Sequence, residues 1–171
     1  MAQMPRVLKN FSLIVDGRGY AGRVTELTLP KLTRKMEEFR GGGMNAPVEL
    51  DMGMEKLECD FTLKEYNEEV LKLFGLVDHA GVSVRMKGAL EGDDAAGTVT
   101  PVEVTLRGRW RELDGGGWKP GEETALKVQM ACSYYKYVSG GETLIEIDVV
   151  NMIERVNGVD RLEAIRSAIG G

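Results

Sequence analysis

Apolar and polar positions alternate along most of this chain, and that period predicts strands. FSLIVD (11–16) reads as a strand closed by the Asp16-Gly17 turn signal, and YAGRVTELTL (20–29) reads as its hairpin partner. VELDM (48–52) sets Val48, Leu50 and Met52 against Glu49 and Asp51. LECDFTL (57–63) sets Leu57, Cys59, Phe61 and Leu63 against Glu58, Asp60 and Thr62. The apolar phase moves from even to odd numbers between Met54 and Leu57. A one-residue slip turns every side chain to the opposite face, so a bulge or bend is expected near Gly53–Lys56.

Further strands are predicted at 82–91, 101–113, 124–138 and 143–150. In 101–113, Val102, Val104, Leu106, Gly108 and Trp110 share a face; in 124–138, Leu126, Val128, Met130, Cys132 and Tyr134 do. The period changes in YNEEVLKLFG (66–75). Val70, Leu71 and Phe74 fall at helical spacing there, Glu68 and Glu69 open the first turn and Gly75 stops it. At the end of the chain, Asp160 and Glu163 form a capping-box-like start, with Leu162, Ile165 and Ile169 as a stripe. Strands with one apolar and one polar face belong to antiparallel sheets covered on one side. The expected fold is mainly β: two packed antiparallel sheets, as a sandwich or partly open barrel, with one flanking helix and a short C-terminal helix. Residues 30–47 are the exception. They are charged, too long for a hairpin turn and too broken by glycine for a stable helix, so they read as a long inter-strand loop.

The chain has 171 residues, 43% hydrophobic and 29% charged, one domain's worth with enough apolar material for a core. Its 22 glycines and 5 prolines, without low-complexity runs, point to turns rather than disorder. A net charge of −5 argues against sequence-independent nucleic-acid binding, which needs a positive surface. No apolar run has the length of a signal peptide or a membrane span, so no membrane anchor is expected. Cys59 and Cys132 lack CxxC spacing and sit in strand-like runs, where small core thiols are the expected reading.

Candidate chemistry is sparse. GRGYAG (17–22) matches GxGxxG, but the β-branched RVTELTLP follows it, where a dinucleotide site needs a helix. A glycine-rich hairpin accounts for it better. His79 is the only histidine, so a His-based metal cage or dyad is excluded within one chain. The pairs Glu49/Asp51 and Glu58/Asp60 follow from period-2 spacing on a solvated face as readily as from acid–base chemistry. Arg107, Arg109 and Arg111 form a row that suits either phosphate contacts or cross-strand pairing with carboxylates. No catalytic, cofactor or metal site is therefore expected. The polar strand faces and the long insert point instead to surfaces made for other subunits.

Three blocks carry a resemblance: TLPKLTRKMEEFRGGGMNAPVELDMG, LRGRWRELDGGGWKPGE and YYKYVSGGETLIEIDVVNMIERVNGVDRLEAIR. The chain resembles the major tail tube proteins of contractile-tailed bacteriophages and R-type tailocins, from about Val7 to Gly170, with variation in the 90–100 turn. The resemblance implies a single tail tube domain over 1–171, hexameric rings, and stacking of rings into a hollow tube inside a contractile sheath. It implies partners in further copies of the chain, the sheath, a tape-measure protein, a baseplate tube initiator and a tail terminator, with DNA passing without specific binding. Assembly is expected in the bacterial cytoplasm. The insert becomes a contact arm between subunits or rings through Arg34, Lys35, Met36, Glu37, Glu38, Phe39, Arg40 and Met44, mobile before assembly. Glu58, Asp60 and Glu103 are expected to face the lumen and repel phosphate; Leu162, Ile165 and Ile169 are expected to make terminal contacts. The same device serves a phage, a defective prophage or a tailocin. A type VI secretion-like tube and a monomeric β-barrel binding a small ligand are the alternatives.

Overall fold

The computed structural model describes residues 2–94 and 97–171; residues 95 and 96, within the variable 90–100 turn, lie outside them. The described chain is mainly β, in two antiparallel sheets. Ten strands form the body: β1 (Arg6–Val15), β2 (Arg18–Gly19), β3 (Val24–Thr28), β6 (Leu57–Leu63), β7 (Val82–Gly92), β8 (Val99–Asp114), β9 (Leu126–Ser139), β10 (Glu142–Asp148), β11 (Ile153–Val156) and β12 (Val159–Asp160). The second sheet is one hairpin, β4 (Arg34–Phe39) with β5 (Val48–Met54). The insert is thus more ordered than an open loop. Its charged segment KMEEF pairs with VELDM, an outcome hidden from pattern reading because both faces of KMEEF carry charge. The chain bends where the phase change demands it: β5 ends at Met54, β6 begins at Leu57, and the two belong to different sheets.

Strand β9 is the hub. One of its edges pairs with β8 along nearly its whole length, from Leu113↔Val128 to Val102↔Ser139. The other edge is divided: β6 takes Leu126–Cys132 and β10 takes Tyr134–Ser139. The register shifts at the division, where Arg107 faces Tyr134 and Gly108 faces Cys132, leaving Ser133 as the extra residue. This bulge reverses the phase of β9. Tyr135, rather than the expected Tyr134, continues the buried face. The backbones approach so closely here that a Cβ on Gly108 would lie 2.0 Å from the Ala131 carbonyl oxygen.

Residues 20–29 do not form the hairpin partner of β1. Asp16 (φ 49°) and Gly17 (φ 82°) make a tight two-residue turn that returns only Arg18–Gly19 onto β1. Tyr20 then buries its ring and donates from its hydroxyl to Asn67 Oδ1 at 3.1 Å, drawing the chain away. β3 consequently pairs with β6, while β7 takes the other edge of β1.

Inward side chains of β1, β6, β7, β8, β9 and β10 form one core, with Phe61, Leu13, Leu63, Leu106 and Met130 fully buried. Phe61 packs edge-to-face on Trp110, with ring centroids 5.5 Å apart. The flanking helix α1 (Glu68–Lys72) closes one end of this core through Val70, whose carbonyl accepts from Trp110 Nε1 at 2.9 Å. Its cap is Asn67, whose side chain accepts from the Glu69 and Val70 amides at 3.1 and 3.2 Å. A 3₁₀ turn (Leu73–Gly75) ends it, as Gly75 predicts. The barrel remains partly open: no strand pairing joins β3 to β1, and an apolar groove lined by Leu8, Phe11, Leu27 and Leu29 runs between them.

The C-terminal helix α2 (Glu163–Ala168) forms without the expected capping box. Asp160 belongs to β12, and its carboxylate accepts instead from the Leu162 amide at 3.1 Å and pairs with Arg166 at 3.0 Å.

Candidate assembly surfaces

The hairpin arm projects its side chains in two sets. Register pairs Phe39 with Val48 and Glu37 with Leu50 on one face, and Glu38 with Glu49 and Met36 with Asp51 on the other. The first face is apolar apart from Glu37, and open: Phe39 is 52% exposed and Leu50 47%. The tip is built around Met44, whose carbonyl accepts from Arg40 Nε at 3.2 Å and whose sulfur lies 3.0 Å from the Gly41 amide. Gly43 there adopts φ 87°, open to glycine at no steric cost. Neither Lys35, Glu37 nor Glu38 has an ion-pair partner among the described residues. Glu38 and Glu49 sit directly opposite one another, a repulsive placement within a lone hairpin.

At the base of the arm, Arg34 turns back onto the body. It pairs with Asp51 at 3.0 Å and with the buried Glu154 of β11. An apolar-floored cleft opens beside it, lined in part by Met54, Leu57, Ile147, Leu162 and Ile165. The structure therefore brings Arg34, Leu162 and Ile165 to one place. Ile169 stands outside this cleft and is 69% exposed.

Glu58, Asp60 and Glu103 share the outward face of the body sheet. Glu58 and Asp60 point away from the core from β6, and Glu103 from β8, with β9 between them. Lys56 and Arg111 both reach Glu58 and hold its carboxyl below the usual carboxylate range. Glu103 pairs with Arg85 at 3.2 Å. Asp60 has no cationic partner among the described residues and lies in line with Gln129 and Glu112. The arginine row of β8 is satisfied locally: Arg107 stacks over the Tyr134 ring at 4.7 Å, Arg109 donates to the Val77 carbonyl at 2.9 Å, and Arg111 takes Glu58 and Gln129. The face is thus a mixture of both signs rather than a uniform row of carboxylates.

Both thiols are free; burial pushes Cys132 up to about 12 and Cys59 higher still, so neither is a thiolate at neutral pH. Among the described residues no group of three His, Cys, Asp or Glu side chains could hold a metal, and no helix is long and apolar enough to cross a membrane.

Residues 5–170 match the family described as phage tail tube protein FII. The chain belongs to that family. This tail tube protein is 43% identical to the tail tube protein of Escherichia phage P2, over 98% of each chain. It is 34% identical to the major tail tube protein of Serratia phage KSP20, over 98% of this chain and 97% of that one. Among solved structures it is similar to a chain of the sheath–tube complex of an extracellular contractile injection system, with a TM-score of 0.58 and 8% identity over 79% of this chain and 92% of the other. That last likeness shows the fold; the relatives show the role. The tail tube protein is a structural component of a virion tail.

Sequence reasoning did not single out Glu154 or Glu112 on these surfaces. Glu154 is visible only as one acid in IERV, and nothing in that stretch marks it as buried.

Proposed function

We propose that residues 1–171 act as one tube domain that closes into hexameric rings, and that the rings stack into the inner tube of a contractile tail. The observation that carries this is the full-length match to tail tube proteins at 43% and 34% identity. The architecture supports it. β1 is paired on one edge by β7 while most of its other edge is open, and β3 likewise has a single partner. Open edges invite pairing with another chain, and a closed ring of copies removes them.

In this reading the arm at about 30–47 with β5 is the contact between copies. Phe39, Val48, Leu50 and Met52 supply apolar anchors, helped by Met36 and Met44. Arg34, Lys35, Glu37, Glu38 and Arg40 set register, and a cation of the next copy sits between Glu38 and Glu49. Leu162, Ile165 and Ile169 make contacts at the C-terminal end. Glu58, Asp60 and Glu103 line the lumen. Their neighbouring arginines are tied to carboxylates, an aromatic ring and a carbonyl, so DNA phosphates meet few free cations and pass without being held. The tube carries out no chemistry. It is a conduit for DNA in a phage or the piercing rod of a tailocin, surrounded by a sheath, built on a baseplate initiator along a tape measure and closed by a terminator. The similar chain from a sheath–tube complex supports the sheath as partner.

Electron microscopy of the purified protein, alone and seeded with native tail fragments, tests this. Hollow tubes with six-fold cross-sections are expected. Single molecules at high concentration, even when seeded, would overturn it.

A further inference from the structure

We infer that Arg34 and Glu154 are positioning residues, which set the angle of the β4–β5 arm against the body before a second copy arrives. This rests on the reading of the arm as the inter-copy contact. Glu154 is the one charged residue buried among the described residues, at 5% exposure. It stands on β11 opposite Ile147, near the end of the body sheet and at the wall of the cleft. Arg34 opens β4; one guanidinium nitrogen goes to Glu154 and the other to Asp51 of β5 at 3.0 Å. One side chain therefore holds both strands of the arm to a fixed anion of the body. The anion is itself braced. Its amide donates to Asp160 at 3.4 Å and its carbonyl accepts from Arg161 at 2.8 Å, while Arg166 grips Asp160 at 3.0 Å.

A buried carboxylate is unfavourable without its cation, so an arm that swung away would strand the charge. Pairs of this kind add little net stability, and the role assigned to this one is orientation. Orientation matters at the base of a lever. A strand of about 7 residues reaches about 20 Å, so an error of about 10° at the base moves the tip by about 3–4 Å, enough to miss a packed pocket. No body strand pairs with either strand of the arm; the backbone hydrogen bond at its base, Glu55 N–H to Thr33 O at 2.8 Å, joins its two legs only to each other. This is the opposite of an arm that is mobile until assembly.

The test is amide exchange on the soluble chain together with seeded tube growth. Arg34→Gln alone leaves a buried anion unpaired, so the double variant Arg34→Gln/Glu154→Gln, which removes both charges, is measured beside it. In the double variant, amides of 36–52 are expected to exchange about tenfold faster or more while those of β8 and β9 keep wild-type rates. Tube growth from seeds should slow by at least about tenfold, and Arg34→Lys, which keeps charge but not the fork, should fall between. Wild-type exchange across 36–52 in the double variant would overturn the assignment. So would faster exchange spread evenly over the body, which marks a general stabilising role. Failure of wild-type protein to grow on seeds would sink the tube reading, while exchange on the soluble chain still decides the positioning role.

Discussion

Two neighbouring strands have the same alternation and opposite fates. β6, LECDFTL, buries all four of its apolar residues; Phe61 is 1% exposed. β5, VELDMGM, leaves Val48, Leu50 and Met52 about half exposed. They are separated by Glu55 and Lys56 alone. Period fixes which residues share a face, and it says nothing about what covers that face. In the body, Phe61 packs against Trp110 and the apolar face of β6 belongs to the single buried core. The lone chain supplies none for β5, and the proposed contact with a second copy would cover it.

The contrast can be broken first at the hub. Gly108→Ala should cost at least about 3 kcal/mol, because a Cβ would overlap the Ala131 carbonyl and the backbone of β9 would have to move. Thermal denaturation should show a fall of about 6–12 °C or a failure to fold. If the variant melts normally, the close approach at the bulge is wrong.

Next come the matched truncations. Phe61→Ala should lose about 3–5 kcal/mol through an unfilled cavity. Leu50→Ala should change monomer stability by less than about 1 kcal/mol, its side chain being half in water already, yet slow seeded growth markedly. Equal losses of stability in both would mean that β5 is covered within its own chain.

Asn67→Ala removes the side-chain acceptor of two amides at the start of α1 and should cost about 1 kcal/mol, read by urea denaturation. Glu38→Gln relieves the opposition to Glu49 and should raise soluble-arm stability by a few tenths of a kcal/mol, visible only as slower exchange within 34–52.

The smallest effect is with pH. Burial pushes Asp160 up, but the Leu162 amide, the Arg166 guanidinium and the Glu154 amide outweigh it and leave the carboxyl below its ordinary value. A depressed folded value contributes stability above the unfolded aspartate range, about 3.9, and that contribution fades as pH falls through the folded value. Loosening of 160–169 is therefore expected only in strong acid, and Arg166→Ala should move its midpoint upward on an NMR titration.

Much of the body was legible from residues alone. The apolar faces of β6 and β8, the bend near Gly53–Lys56, helix α1 and the core thiols all follow from local period and turn chemistry. Several features were not. The pairing of β3 with β6 depends on Tyr20 reaching Asn67, a contact across 47 positions. The phase of β9 after Cys132 depends on a bulge opposite Gly108, and strand β4 depends on a partner strand rather than on its own composition. The surface residues named from sequence lie on three separate regions: an arm, an outward sheet face and a C-terminal end. Sequence places Arg34 in the contact loop and Leu162 and Ile165 among terminal contacts, and the fold sets all three around one cleft.

Local order in the chain determined the class of fold, the positions of most strands and the family, because alternation, turns and long ordered blocks are properties of neighbours in sequence. Tertiary structure alone decided which strand lies beside which, where one buried carboxylate meets its arginine, and which apolar face is left uncovered. Those depend on contacts between residues far apart in the chain, whose energies are settled only when the whole sheet has closed around them.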